Sequence, residues 1–268
     1  MKRYLLSILL ITSQLFALEI VQLKVKHNNE FTQVKLMIKT PMRGEKVANR
    51  KKLEQDYITR IILESNQHVI FNAFTSSNIS RNPYFKFQFK NNIYDGNIKF
   101  IMVDNNNKIT EKLFIKNKKS NTLNTTIDSN ELLKNDGFLI SKKLWKLTNI
   151  NEAIKELYGK VEFTYGNALV VNLPRSTENF FSINIKSDLN IESIAIFHNN
   201  HTYTASTIAV LKIPASAIVN YDIPIQMPHG CDINIVVVAK GKDETIYRKD
   251  NLIDVFGGDI GCDGSSMQ

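Results

Sequence analysis

Cys262 is the side chain in this 268-residue sequence best placed to form and break covalent bonds with other molecules. It sits in the run Val255-Phe256-Gly257-Gly258-Asp259-Ile260-Gly261-Cys262-Asp263-Gly264, and the chain ends at Gln268. Gly257, Gly258, Gly261 and Gly264 surround it. Four residues of such wide backbone freedom make a poor structural element and a good tether. The five steps from Gly257 to Cys262 span about 17 Å when extended, at roughly 3.3–3.6 Å per residue. A thiolate is a strong nucleophile, and its sulfur both forms and releases bonds to other sulfur atoms. The expected role is therefore a covalent substrate carrier on Cys262, presented on a swinging arm. Asp259 and Asp263 disfavour the thiolate by like-charge repulsion, so activation is expected to come from a partner's site. Two other readings stand beside this one. Cys262 pairs with Cys231, the only other cysteine, in a disulfide that pins the tail. Or the tail is a loose chain end without a role.

The remaining polar candidates fall in two short segments, His198-Asn199-Asn200-His201 and His229-Gly230-Cys231. Together they have the side chains of a zinc or copper site, which makes a His/Cys metal-binding β-sandwich protein an alternative function. The spacings are unspecific, and two solvated turns are the plainer reading. The first reading needs no metal and no cofactor. His27 and His68 read as ordinary sheet residues. No phosphate loop, nucleophile elbow or paired-carboxylate motif is present, which favours a carrier over an enzyme.

The first residues speak to compartment. Lys2 and Arg3 precede an apolar run from Leu5 to Leu15, then Phe16-Ala17. This is too short to span a bilayer and reads as a cleavable Sec-type signal peptide over residues 1–17, with an uncleaved anchor as the alternative. A periplasmic protein with no membrane insertion follows. Net charge is +8, and residues 18–150 carry 23 Lys+Arg against 12 Asp+Glu while residues 151–268 carry 9 against 14. The lysines are scattered along strands, which argues against nucleic acid as a partner. A basic half and an acidic half are instead expected to dock on each other.

Period-two alternation dominates both halves. In Tyr84–Lys90, Phe85, Phe87 and Phe89 face one way and Lys86, Gln88 and Lys90 the other, as on a sheet with one buried face. Ile20–Lys26, Phe31–Lys39, Tyr57–Glu64, His68–Phe74, Asn97–Asp104 and Ile109–Lys116 read the same way. Residues 117–140 are polar and read as a linker. A short helix is predicted from Asn151, as cap, to Gly159. Strands follow at Ala168–Leu173, Phe180–Ile185, Ile191–Phe197, His201–Leu211, Tyr221–Met227, Ile233–Ala239, Thr245–Arg248 and Leu252–Phe256. The expectation is an all-β chain with two immunoglobulin-like antiparallel β-sandwich domains over residues 18–116 and 141–256, followed by the tail over 257–268.

Particular residues add a resemblance. Thr40-Pro41-Met42-Arg43-Gly44, Tyr57-Ile58, Ser80-Arg81-Asn82-Pro83-Tyr84-Phe85-Lys86-Phe87 and Val103-Asp104-Asn105 together make the first half resemble SoxZ of the thiosulfate-oxidising Sox system. Asn151–Gly159, Ile191–Phe197 and the Gly261-Cys262 tail make the second half similar to SoxY. The resemblance implies a fused SoxZ–SoxY carrier, not itself an enzyme, with Cys262 in the sulfur-carrying position. It implies as partners a SoxAX-type c-type cytochrome, a SoxB-type sulfate thiohydrolase and, where present, a SoxCD-type sulfane dehydrogenase. Asp263 stands where the family has glycine, so a carrier paralogue for another reduced sulfur species is a second expectation.

Overall fold

A computed structural model of the protein describes residues 19–115, 121–123, 140–200, 203–227 and 230–256. The first half contains β1 (Glu19–His27), β2 (Phe31–Lys39), helix α1 (Glu45–Lys51), β3 (Ile58–Ser65), β4 (His68–Thr75), β5 (Tyr84–Lys90), β6 (Asn97–Asp104), β7 (Ile109–Ile115) and β8 (Asn121–Leu123). The second half contains helix α2 (Ile150–Tyr158), β9 (Val170–Asn172), β10 (Ser176–Thr177), β11 (Phe180–Lys186), β12 (Ile191–Asn200), β13 (Tyr203–Lys212), β14 (Ala217–Gln226), β15 (Gly230–Gly241) and β16 (Ile246–Val255). The chain is all-β and immunoglobulin-like, with two facing sheets and few helices.

The halves meet edge to edge. One sheet has six strands in the order β1-β2-β5-β14-β11-β9, the other ten in the order β10-β16-β15-β12-β13-β4-β3-β6-β7-β8. In the first, β5 of the first half pairs with β14 of the second, Lys86 opposite Asp222. In the second, β4 pairs with β13, Asn72 to Thr75 running opposite Lys212 to Ala209. Sequence-distant strands thereby satisfy one another's edge N–H and C=O groups, which would otherwise template aggregation.

The side chains between the sheets follow the same continuity. Alternation puts Val34, Leu36 and Ile38 of β2 and Phe85, Phe87 and Phe89 of β5 inward, each at 0% exposure. They belong to one apolar cluster with Ile183, Ile223 and Ile225 of the second half. Phe71 on β4 stacks on Phe87 with ring centroids 4.6 Å apart, and lies 6.1 Å from the ring of Tyr221 on β14. Burial of this kind contributes about 25 cal/mol per Å² of apolar surface, the dominant favourable term. A second, smaller cluster lies on the outer face of the ten-stranded sheet. There Ile150, Ala153 and Ile154 of α2 cover Ala195, Val210 and Val236, together with Phe74 from the first half.

Three local features differ from the sequence reading. Helix α2 is capped by Asn149, whose side-chain oxygen accepts from the N–H groups of Asn151 and Glu152; Asn151 is its second helical residue. Gly159 ends the helix at φ 76°, a left-handed conformation that glycine adopts without strain. The segments Thr245–Arg248 and Leu252–Phe256 are joined as β16, because Lys249, Asp250 and Asn251 keep their pairing with β15. Inside the polar stretch 117–140, residues 121–123 form β8 against β7. The leader over 1–17 and the tail over 257–268 lie outside the described residues.

Candidate functional site

The last described residue, Phe256, follows directly from β16, and the register locates it at one end of the sandwich. Val255 lies opposite Gly230 at the start of β15, and Thr177 of β10 lies beside Val255 on the other flank. The root of the tail is held from that side as well. The Asp254 N–H donates to Arg175 O at 3.0 Å, and the Phe256 N–H donates to Thr177 O at 2.8 Å. On the β15 side the register shifts between Gly230 and Ile233, a β-bulge that takes in Cys231 and Asp232. Asp232 adopts φ 52°, and its N–H donates to Asp254 Oδ1 at 3.0 Å.

The same end gathers the loops of the first half. Antiparallel pairing puts the C-terminal ends of β2, β4 and β14 there, along with the loop 76–83 that leads from β4 into β5. Within this cluster Thr40 and Asn82 bond reciprocally: the Thr40 N–H donates to Asn82 Oδ1 and the Asn82 N–H to Thr40 O, both at 3.0 Å. Asn82 has φ 49° and Met42 φ 46°, left-handed values that cost non-glycine residues energy and persist only where the surroundings impose them. Met42 is buried, and its Sδ accepts from the Ile58 N–H at 3.5 Å. Gly44 is required by close approach, since a Cβ there would sit 2.7 Å from Ser77 Cβ.

Loop 76–83 also clips the first half to the second. Ser80 Oγ donates to Ile225 O at 2.8 Å, and the Gln226 N–H donates to Asn78 O at 2.7 Å. Ser76 N–H and Oγ both donate to Ile208 O at 3.0 Å. Asn78 Nδ2 donates to Ser206 Oγ at 2.9 Å, and that hydroxyl lies 2.6 Å from His198 Nε2. Among the described residues a single ion pair crosses between the halves, Lys86 Nζ to Asp222 Oδ2 at 2.9 Å, and both partners are partly exposed. Backbone ladders and apolar packing, not the charge imbalance, account for most of the junction.

Arg43 adds electrostatics at this end. It pairs with Asp56 at 3.3 Å, and their backbones exchange two hydrogen bonds at 2.7 and 2.9 Å. Burial raises the Asp56 carboxyl above its ordinary value, with Arg43 pulling the other way and Asp104 adding to the rise. Desolvation, with Asp104, outweighs the opposing pull of Arg43 and Lys108.

Cys262, Gly257, Gly258, Gly261 and Gly264 lie outside the described residues. His201, His229 and the Cys231 side chain do too, so the four candidate metal ligands are represented by His198 alone. That histidine is 5% exposed and engaged with Ser206. Among the described residues no group of three or more His, Cys, Asp or Glu is arranged to hold a metal ion. His27 Nδ1 bonds Thr32 Oγ1 at 2.8 Å within the β1–β2 pair. The sequence reading missed Asn78, Arg175 and Asp254, which hold the loop and the tail root. Their partners are remote or backbone atoms, and no short motif encodes them.

Residues 21–114 match the family model of the sulphur oxidation protein SoxZ. Among solved structures the chain is similar to the sulfur carrier protein SoxY from Chlorobium limicola f thiosulfatophilum. The TM-score is 0.34 and the identity 17%, over 40% of this chain and 96% of that one. No curated protein matches the sequence. The SoxZ-like segment thus covers the sheet edges that receive β13 and β14, and the loop that clips them. No helix among the described residues is long and apolar enough to cross a membrane.

Proposed function

We propose that the chain is a fused SoxZ–SoxY carrier of the Sox thiosulfate-oxidation pathway, exported to the periplasm, which holds sulfur intermediates covalently on Cys262. The observation that carries this reading is the SoxZ match over residues 21–114 on a half joined by two sheets to a second half whose last strand leads toward Gly261-Cys262. The tail root and the SoxZ-like loops lie at one end, as a partner reading both surfaces at once requires. From Val255 to Cys262 is seven residues, a reach of about 23–25 Å when extended. That suffices to enter a neighbour's cleft while the sandwich stays outside.

The chemistry is balanced as follows. The Cys262 thiolate joins the outer sulfur of thiosulfate, giving a cysteine S-thiosulfonate and two electrons, which a SoxAX-type c-type cytochrome accepts. Water then cleaves the terminal sulfonate as sulfate with release of two protons, leaving a persulfide on Cys262, a step for a SoxB-type hydrolase. A SoxCD-type dehydrogenase is the proposed consumer of the remaining sulfane sulfur. Cysteine suits each step because sulfur–sulfur bonds form and exchange through the thiolate. The acids Asp259 and Asp263 put thiolate activation on the partner, and the carrier contributes position and not catalysis.

The test is intact-mass spectrometry of the protein isolated from its native source under thiosulfate oxidation. Mass additions of sulfur, sulfite or thiosulfate are expected, removable by reductant and missing in Cys262→Ser. A thiol that stays unmodified, or one locked to Cys231, overturns the reading.

A further inference from the structure

Among the described residues, three of the four sheet edges are short. The ten-stranded sheet ends in β8, of three residues, and β10, of two, and the six-stranded sheet ends on one side in β9, of three. The fourth edge is β1, nine residues long, which pairs with β2 on one side only. Its register shift falls between Ile20 and Gln22, and from Gln22 to His27 the pairing runs unbroken opposite Met37 to Thr32. A long edge of this kind presents a row of backbone N–H and C=O groups to any strand that arrives.

The two faces of β1 differ in what they lack. Leu23 and Val25 point inward, opposite Leu36 and Val34. Those partners are at 0% exposure, whereas Leu23 and Val25 are only partly buried where they pack against the core. Apolar side chains on one further strand would complete that burial. On the outer face Lys24 lies opposite Lys35, Lys35 lies opposite Lys86 of β5, and Lys26 lies opposite Gln33. Like charges directly opposite each other destabilise a sheet. Asp222 answers Lys86, but among the described residues no ion pair engages Lys24, Lys26 or Lys35. These three lysines, with Gln33 and Val25, line a groove of about 410 Å³ in which no described carboxylate takes part. The arrangement disfavours a second copy of β1, which would set lysine against lysine, and favours acidic side chains.

We infer that the free edge of β1 binds an extended segment of a partner protein that alternates acidic and apolar residues, added as a further strand to the six-stranded sheet. Side chains directly opposite on neighbouring strands lie about 4.5–5.5 Å apart. The segment's carboxylates therefore stand opposite Lys24 and Lys26, with Lys35 behind them, and its apolar residues cover Leu23 and Val25. Main-chain hydrogen bonds to β1 supply affinity, and the alternation supplies specificity. β1 lies on the flank of the sandwich opposite β16, from which the tail leads, so the inference does not rest on Cys262.

The experiment is fluorescence anisotropy of a labelled peptide that alternates glutamate and valine over about the length of β1, titrated with the full chain. Saturable binding is expected. A peptide of the same composition with its glutamates and valines in two separate blocks should bind about tenfold more weakly, because it cannot put acids on one face and apolar groups on the other. An alternating peptide N-methylated at every second residue along the edge that meets β1 should lose binding as well, since it cannot complete the main-chain ladder. Lys24→Glu with Lys26→Glu should weaken the alternating peptide about tenfold or more, by turning two attractive cross-strand pairs repulsive. Both lysines are exposed, so the variant should keep the parent's circular dichroism and melting temperature, and Cys262→Ser should bind like the parent. The absence of saturable binding, equal binding of the block or N-methylated peptide, or a lysine variant that titrates like the parent overturns the inference.

Discussion

Phe71→Ala tests whether the two halves are one cooperative unit. Phe71 lies on β4, is 1% exposed, stacks on Phe87 and reaches Tyr221 across the junction. Replacing a buried phenylalanine by alanine costs about 3–5 kcal/mol through lost transfer energy and the cavity left behind. For a unit of this size each kcal/mol lowers the melting temperature by about 2–4 °C, so a drop of about 6–20 °C is expected. The decisive part is where the drop is read. The only tryptophan, Trp145, belongs to the second half, packed against the cluster under α2. If β4–β13 and β5–β14 pairing couple the halves, Trp145 fluorescence and far-ultraviolet circular dichroism should report the same lowered midpoint. Two separate transitions, with the Trp145 midpoint unchanged by a substitution in the first half, would refute the shared-sheet account of stability.

Two further outcomes follow from single groups. Tyr221→Phe should stabilise the protein by about 1–3 kcal/mol, the cost of a buried unpaired hydroxyl, because Tyr221 is 1% exposed and its hydroxyl makes no hydrogen bond among the described residues; a lowered urea midpoint would mean the hydroxyl is satisfied. Asp56 has a folded-state pKa raised above its ordinary 3.8 by burial. The folded protein therefore keeps this proton to higher pH than the unfolded chain, and stability falls as pH rises from 3.8 through the raised value. Asp56→Asn should remove that decline from urea midpoints measured across the interval, and parallel curves for parent and variant would sink the assignment.

How far the sequence could be read depends on the range of the interactions concerned. Alternation in Tyr84–Lys90 and Phe31–Lys39 marks strand, face and core directly, because side chains on a strand have period two; the structure buries those same phenylalanines. Helix α2 and its glycine stop were legible for the same local reason, while its cap was misplaced by two residues, since Asn149 and Asn151 are equally good capping types. Helix α1 went unread because Glu45–Lys51 is short and mostly polar, too short for a periodic apolar stripe. Cys262 was singled out by residue type and its glycine neighbours alone.

What the sequence by itself determined is most of the strands, the buried faces of the strongly alternating ones such as Phe31–Lys39 and Tyr84–Lys90, and a thiol among glycines. Only the tertiary structure decided that the halves share both sheets and that Ser80 and Asn78 clip them together beside the tail root. The physical reason is that strand alternation is written within a few residues. Pairing between β4 and β13, or β5 and β14, is selected by the packing of a common core across more than a hundred positions of chain.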